Sequence, residues 1–250
     1  MAMEVPPSLS GCLAACRGPA SLSCPHHTHF KRKSKFSSKC KGNDAIMQDS
    51  YLTQIKDYNI REASPVPEKA ALLIIDMQCY FKPLAQPIVD NVISLIECFR
   101  ANQGKIFFTR HGHRAPEKDG GMLAKWWGDL ILYGSAEWQL LEELPVHAGD
   151  AIIDKTRYSA FFSTRLDERL RAQGVEDLVI SGVMTNCCCE TTARDAFIHD
   201  YRVFFVADAT ATANSELHVA SLKNLAYGFA HIVETRQICE IFKNYLQYFK

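Results

Sequence analysis

The sequence lacks several features that would each indicate a particular class of protein. It contains no apolar run approaching the roughly 18 residues that a membrane-spanning helix needs. No GxGxxG motif follows the first apolar strand, and no GxxxxGK(S/T) motif occurs, so a nucleotide-cradling loop is not supported. There are no internal repeats, and 28 basic residues balance 28 acidic ones. We therefore expect a globular protein that binds neither membranes nor nucleic acid.

Acidic residues are almost missing from the first 43 residues. Glu4 stands there against seven basic residues, which gives this stretch a charge of +6. The stretch is also rich in Ser, Pro and His and has no helical or strand period, so residues 1–45 are predicted to be a disordered tail.

A serine-rich, basic, acid-poor composition is typical of an organelle transit peptide. The first twenty residues lack an arginine-rich amphipathic pattern, which favours the plastid; the mitochondrion and the cytosol are the alternatives. The same composition also fits a basic patch at residues 31–41 for nuclear import or nucleic acid, or a tail without function.

The ten cysteines do not form a disulfide framework. Four lie in the N-terminal tail and three are adjacent at positions 187–189, which is poor spacing for stapling loops. A reducing compartment is the simpler interpretation.

Apolar runs alternate with helical periods from residue 70 onward, after a mixed polar lead-in at residues 46–69. Short, continuously apolar runs are typical of strands that are buried on both faces of a parallel sheet. The predicted fold class is therefore α/β, a doubly wound parallel sheet of about six strands with helices on both faces, in a domain spanning residues 70–250. The predicted strands are 70–77, 105–109, 151–154, 177–181, 201–208 and 231–234, and the predicted helices are 89–103, 137–144, 164–173, 190–199, 215–227 and 239–249. The long connection at 110–134 is predicted to be a lid or binding loop.

Polar residues terminate three of these strands. Asp76 ends the first, Lys155 ends the third, and the cysteines 187–189 follow the fourth. Because ligands bind at the carboxyl ends of strands in open α/β sheets, these groups are expected to converge. Thr185 or Asn186 is predicted to cap the following helix, whose N-terminus, together with the Lys155 charge, would favour a thiolate. The simplest alternative is a structural Asp–Lys ion pair beside inert thiols.

Three ordered motifs resemble the isochorismatase-like cysteine hydrolases, which include nicotinamidases, N-carbamoylsarcosine amidase and ureidoacrylate amidase. The motifs are LIIDMQ at 73–78, DKTRYSAF at 154–161 and GVMTN at 182–186, and the resemblance covers about residues 70–238. It implies a six-stranded parallel sheet and a catalytic triad of Asp76, Lys155 and Cys188. It also implies a cis peptide at Val183–Met184 and an oxyanion hole made by the backbone N–H groups of Met184 and Cys188.

The resemblance also bears on metal binding. Nicotinamidases of the family bind a metal through an Asp-x-His pair and a later His, whereas this chain reads His111-Gly112-His113 with no further His before His147. We therefore expect no cofactor; His111 and His113 are the weak metal candidates, and nicotinamidase activity is doubtful. Arg110, Arg114 and Arg157 are candidates for a substrate carboxylate. The candidates for lining the substrate pocket are Phe81, His111, His113, Trp126, Trp127, Tyr158 and Phe161.

The predicted function is hydrolysis of a small amide, ureide or carbamoyl C–N bond through a thioester intermediate. The substrate is a small molecule, and the resemblance favours a homo-oligomer. One alternative is a catalytically inactive binding or scaffold protein on the same fold. Others are a redox- or metal-responsive protein built on the cysteines, and a vinyl-ether hydrolase of the isochorismatase type.

Overall fold

A computed structural model describes residues 50–248 of the chain. The predicted N-terminal tail and its targeting signal lie outside these residues. The described part is built on one sheet of six parallel strands, as predicted, and the strands lie in the order β3-β2-β1-β4-β5-β6. The strands are β1 Ala70–Ile75, β2 Lys105–His111, β3 Ala151–Lys155, β4 Asp177–Val183, β5 Arg202–Ala211 and β6 His231–Val233.

Nine α-helices are described between residues 50 and 248. They are α1 Tyr51–Ile55, α2 Lys82–Ala85, α3 Val89–Ala101, α4 Pro116–Asp119, α5 Gly121–Trp127, α6 Leu166–Ala172, α7 Glu190–Ile198, α8 Ser215–Gly228 and α9 Thr235–Tyr248. Short 3₁₀ turns occur at Pro67–Lys69, Cys79–Phe81 and Gln86–Ile88, and a π-helical turn occupies Thr185–Cys189. Within this part of the chain, none of the helices combines the length and apolar character that a membrane span requires.

The strand order reverses between β1 and β4, which lie side by side at the centre of the sheet. Successive β1 side chains enter opposite faces: Leu73 and Ile75 pack in one apolar cluster, while Leu72 and Ile74 pack in the other. The sequence of β1 is therefore apolar throughout because helices cover both faces of the sheet. The point of reversal places the carboxyl ends of β1 and β4 next to each other, where doubly wound folds bind ligands.

Two of the predicted elements are wrong. The segment 137–144 is not a helix, because its backbone groups bond across to the chain that follows β1: Leu141 N–H donates to Met77 O at 2.9 Å, and Cys79 N–H donates to Gln139 O at 2.8 Å. The predicted loop 110–134 is not wholly irregular, since it contains α4 and α5.

One helix start also differs from the prediction. Helix α9 begins at Thr235 rather than near residue 239, because the Asp208 carboxylate accepts hydrogen bonds from the N–H and hydroxyl of Thr235. Helix α8 begins at Ser215, as predicted, and Asn214 caps it, since its side chain accepts a hydrogen bond from Leu217 N–H.

Gly182 lies where β4 passes closest to β1. Its φ is +112°, a conformation that side-chain-bearing residues rarely adopt. A Cβ atom there would stand 2.1 Å from the Ile75 carbonyl oxygen. Only glycine lets the end of β4 approach the end of β1 this closely. The glycine that begins the GVMTN motif is therefore required for steric reasons.

Replacing Gly182 with alanine should therefore destabilise the protein. We expect Gly182→Ala to lower the free energy of unfolding by roughly 3 kcal/mol or more, because it combines a backbone clash with a disfavoured φ. Urea unfolding measures the change. Gly134→Ala is the matched control, since Gly134 has a φ of +80° with no atom within 4 Å of the added Cβ, and it should lose about 1–2 kcal/mol. Equal losses in the two variants would contradict the steric argument.

Candidate active site

Asp76 follows β1 and is completely buried, with a φ of +48°. The hydroxyl of Thr109, on the neighbouring strand β2, donates to Asp76 Oδ1 at 2.6 Å and accepts from the Asp76 N–H at 3.1 Å. Lys155 Nζ, at the end of β3, donates to the other carboxylate oxygen, Oδ2, at 2.6 Å. Both oxygens of the carboxylate are thus held by donors from nearby strands of the sheet.

Lys155 is buried beside Asp76 and also donates to the carbonyl oxygen of Arg157 at 3.0 Å. Burial alone disfavours its ammonium form, but the Asp76 carboxylate, through its charge and its hydrogen bond, outweighs burial and raises the pKa of Lys155 above its ordinary value. The side chain is therefore a buried cation that is compensated by the carboxylate.

Cys188 lies on the π-helical turn Thr185–Cys189 between β4 and α7. Its thiol is buried, and it interacts with both the Asp76 carboxylate and the Lys155 ammonium. The structure thus brings together the three residues that the sequence places at separate strand ends.

Burial raises the pKa of the Cys188 thiol well above its ordinary value. The Lys155 charge lowers this pKa, as predicted, whereas the Asp76 charge raises it further. Because burial is the largest of these effects, the thiol needs a base before it can attack a carbonyl.

The two neighbouring cysteines have other surroundings. Cys189 is completely buried in the apolar core, and the Cys187 thiol is hydrogen-bonded to the Tyr158 hydroxyl. The Cys188 thiol is hydrogen-bonded to both Asp76 and Lys155, whereas Cys189 interacts with these two residues through their charges.

The turn that carries Cys188 is held by the side chains of Thr185 and Asn186, which were predicted to cap the following helix. Thr185 and Asn186 do not cap α7: the Thr185 hydroxyl lies 2.9 Å from His218 Nδ1, and Asn186 Oδ1 accepts from the Thr212 hydroxyl at 2.6 Å. The predicted cis peptide at Val183–Met184 is confirmed. The N–H groups of Cys187 and Cys189 both donate to Met184 O, at 3.1 and 3.2 Å.

The aromatic pocket candidates are not all placed together. Trp127 Nε1–H donates to the Tyr158 hydroxyl at 2.8 Å, whereas Trp126 is 75% exposed. Phe161 is not a pocket wall, since it is buried in the core and stacks on His199 with a centroid distance of 4.9 Å. Phe81 packs partly buried against the other face of the sheet.

A cavity of about 350 Å³ lies on the side of Tyr158 near α5 and α7. The residues that line it are Met122, Leu123, Arg157, Tyr158, Ser159, Phe162, Thr191 and Asp195. Of the three arginines considered for a substrate carboxylate, Arg157 lines this cavity. Arg110 instead pairs with Asp154 at 2.8 Å, and the guanidinium of Arg114 lies over the Tyr133 ring.

His111 and His113 are adjacent at the end of β2. Their Nε2 atoms lie 3.2 Å apart, and His113 Nδ1 lies 3.1 Å from Asp119 Oδ1. The carboxylate is therefore on the far side of the His113 ring from the two Nε2 atoms. Among residues 50–248 no group of three or more His, Cys, Asp or Glu side chains is placed to hold a metal.

Sequence reasoning missed several residues that shape this site, including Thr109, Gln78, Asp119 and His218. The Gln78 side chain is completely buried and bonds both the N–H and the carbonyl of His111, at 2.8 and 3.0 Å. Thr109 had a detectable signal, because it is a hydroxyl at the end of an otherwise apolar strand. Nothing in the local sequence identifies the partners of Asp119 and His218.

The sequence and the fold are similar to those of known proteins. The isochorismatase domain model matches residues 70–237. The chain is 48% identical over 182 residues to nicotinamidase 3 of Arabidopsis thaliana, covering 72% of this chain and 91% of that protein. It is 29% identical over 204 residues to the ureidoacrylate amidohydrolase RutB of Serratia proteamaculans (strain 568), covering 69% and 82%. The crystal structure of a cysteine hydrolase from Pseudomonas syringae pv. phaseolicola 1448A superposes with a TM-score of 0.70 at 27% identity, covering 73% and 96%.

The buried His218 predicts an acid-dependent loss of stability. Burial lowers the pKa of His218 to about 4, below its ordinary 6.5, so the unfolded chain binds the proton more readily. This contribution to stability is complete above pH 6.5 and is lost as the pH falls toward 4, by about 3 kcal/mol.

Urea unfolding between pH 7 and pH 4 measures this loss. The control is His218→Gln, which has no titrating ring and should show a shallower dependence on pH than the wild-type protein. Parallel pH profiles for the two proteins would contradict the assignment.

Proposed function

This chain belongs to the isochorismatase family, and from that premise we propose that it hydrolyses the C–N bond of a small amide, ureide or carbamoyl compound through a cysteine thioester. The observation that carries the proposal is a buried thiol, Cys188, facing a buried Asp76–Lys155 ion pair. A structural ion pair alone would not need a thiol held against both charges.

The first half of the reaction forms the thioester. Asp76 accepts the Cys188 proton as the sulfur attacks the substrate carbonyl carbon, and the Lys155 ammonium stabilises the negative charge that develops on sulfur. Asp76 then gives that proton to the leaving nitrogen, and the C–N bond breaks. The raised pKa of Cys188 fits this sequence, because the proton leaves only as the new bond forms.

The second half returns the enzyme to its starting state. Asp76 accepts a proton from water as the water oxygen attacks the thioester carbonyl. The C–S bond then breaks, the acid product leaves, and the proton returns to the sulfur of Cys188.

The backbone supplies the oxyanion site in this proposal. The N–H groups of Cys187 and Cys189 are engaged by the Met184 carbonyl, so they cannot serve a substrate oxygen. We assign the role to the N–H groups of Met184 and Cys188. Donors fixed before the reaction stabilise the tetrahedral intermediate without reorganisation.

Nicotinamide is the first substrate to test. The replacement of the metal ligands made nicotinamidase activity doubtful from the sequence, yet the chain is 48% identical to a protein named nicotinamidase. A vinyl-ether substrate is a weaker candidate, because acid catalysis alone would leave Cys188 without a role. Ammonia release from nicotinamide, ureides and carbamoyl compounds would identify the substrate.

Substitutions in the proposed triad should abolish turnover of whichever compound is cleaved. We expect Cys188→Ala, Asp76→Asn and Lys155→Ala each to lower kcat/KM by about 10³-fold or more, because each removes the nucleophile, the base or the stabilising charge. Ammonia release measures the rate. The matched controls are Cys187→Ala and Cys189→Ala, which remove neighbouring thiols and should keep kcat within about tenfold of the wild-type value. Full activity in Cys188→Ala would refute the mechanism.

Thr109 is expected to act through Asp76. Thr109→Val keeps the side-chain shape but removes the hydroxyl that holds Asp76 Oδ1, so kcat should fall about tenfold with little change in KM. Thr109→Ser keeps the hydroxyl and should restore most of the rate. If the Val and Ser variants were equally slow, the hydroxyl would not be the important group.

A further inference from the structure

Helix α9, the last that the structure describes, packs along helix α3. The rings of Phe99 on α3 and Phe242 on α9 are both completely buried, and their centroids lie 4.3 Å apart. The start of α9 is held separately, by the Asp208 carboxylate that binds Thr235. We name the packed surface between the two helices the α3–α9 seam.

Two cysteines from different helices meet at this seam. Cys98 lies on α3 and Cys239 lies on α9, and both pack partly buried against the same apolar cluster. Cys239 Sγ lies 3.7 Å from the carbonyl oxygen of Ser94, which is the helical acceptor for the Cys98 N–H one turn later. The two thiols are also hydrogen-bonded to each other. The fold thus places two distant cysteines of the sequence side by side.

Their hydrogen bond makes the two thiols chemically unequal. It lowers the pKa of Cys239 and raises the pKa of Cys98, and burial adds to the rise at Cys98. A thiolate is the attacking species in thiol–disulfide exchange, so Cys239 is suited to react first and Cys98 to react second. Both side chains are partly exposed, which leaves them open to a small reagent.

We propose that Cys98 and Cys239 form a reversible disulfide that fastens α9 to α3 when the surroundings become oxidising. The oxidant is a small disulfide of the glutathione type. A disulfide holds its sulfurs about 2 Å apart, and thiols that already touch approach this distance by rotation of their side chains. The two cysteines pack in a different apolar cluster from Cys188, so the proposed triad is not consumed.

The exchange proceeds in two balanced steps. The Cys239 thiolate attacks one sulfur of the small disulfide, forms a mixed disulfide and expels a small thiolate. Cys98 then loses its proton and attacks the Cys239 sulfur, which forms the internal disulfide and expels the second small thiolate. The two cysteines lose two electrons, and the small disulfide becomes two small thiols that take up the two cysteine protons. An excess of thiol reverses both steps.

Oxidation should stabilise the protein and hold α9 more firmly. The bond closes a long loop of chain, which restricts the unfolded state, so we expect the melting temperature to rise by about 5–10 °C. Amide hydrogen exchange in α9 should slow by about tenfold or more, because opening of this helix then requires the seam to open around a covalent link. Reduction with dithiothreitol should reverse both changes.

The test uses the full chain, equilibrated with mixtures of reduced and oxidised glutathione and then quenched with acid. Digestion with trypsin and a glutamate-specific protease separates Cys98 from Cys79, because Glu97 directly precedes Cys98. We expect mass spectrometry to find a peptide that links Cys98 to Cys239 in the oxidising mixtures. Thermal melts and hydrogen exchange on the same samples measure the effect of the link.

Serine variants separate this pair from the other cysteines. Cys98→Ser and Cys239→Ser should melt within about 3 °C of the reduced wild-type protein and should gain nothing on oxidation. Cys79→Ser is the matched control, since Cys79 is also partly buried but its thiol lies 3.8 Å from the Leu140 carbonyl oxygen, away from the seam. It should gain as much stability on oxidation as the wild-type protein does.

Three outcomes would overturn the proposal. If the oxidising mixtures yield no linked peptide, or stop at a mixed disulfide on Cys239, the two sulfurs do not reach each other. If Cys98→Ser gains stability on oxidation, a different pair of cysteines is responsible. If the linked peptide forms but neither the melting temperature nor the exchange of α9 changes, the bond does not fasten the helix.

Discussion

The buried ion pair between Lys155 Nζ and Asp76 Oδ2 is the constraint on which the site depends. Neither side chain is exposed to solvent, and their charged atoms lie 2.6 Å apart. Removing two charges from water costs several kcal/mol per ion unless each is paired and hydrogen-bonded. Thr109 and the Arg157 carbonyl supply the remaining bonds. The sheet can hold these groups because parallel strands bring their carboxyl ends to one edge.

The fold was largely predictable because short stretches of the sequence indicate its strands and helices. Continuous apolar runs identified the strands, and their alternation with helical periods identified the parallel sheet and its doubly wound class. The errors came where tertiary contacts override local pattern. The segment 137–144 has helical spacing but pairs with the chain after β1, and Thr185 and Asn186 have capping chemistry but bond to His218 and Thr212.

The candidate site was predictable only in part, for the same reason. Asp76, Lys155 and Cys188 follow strands that can be read from the sequence, so their convergence is a matter of topology. Phe161 adjoins the same motif as Tyr158, yet it turns into the core, a choice that no sequence spacing decides. The pKa of Cys188 could not be predicted either, because burial outweighs the opposing Lys155 charge and burial is a property of the packed structure.

The turn that carries Cys188 is fastened mainly to the part of the chain that follows it. Thr185 bonds His218, Asn186 bonds Thr212, and Ser221 Oγ donates to Glu190 Oε2 at 2.6 Å. A fragment ending before residue 212 would keep Asp76, Lys155 and Cys188 and still lose the anchors that orient the sulfur. During synthesis, the Cys188 thiol can therefore reach its final orientation only after residues 212–221 have left the ribosome and docked.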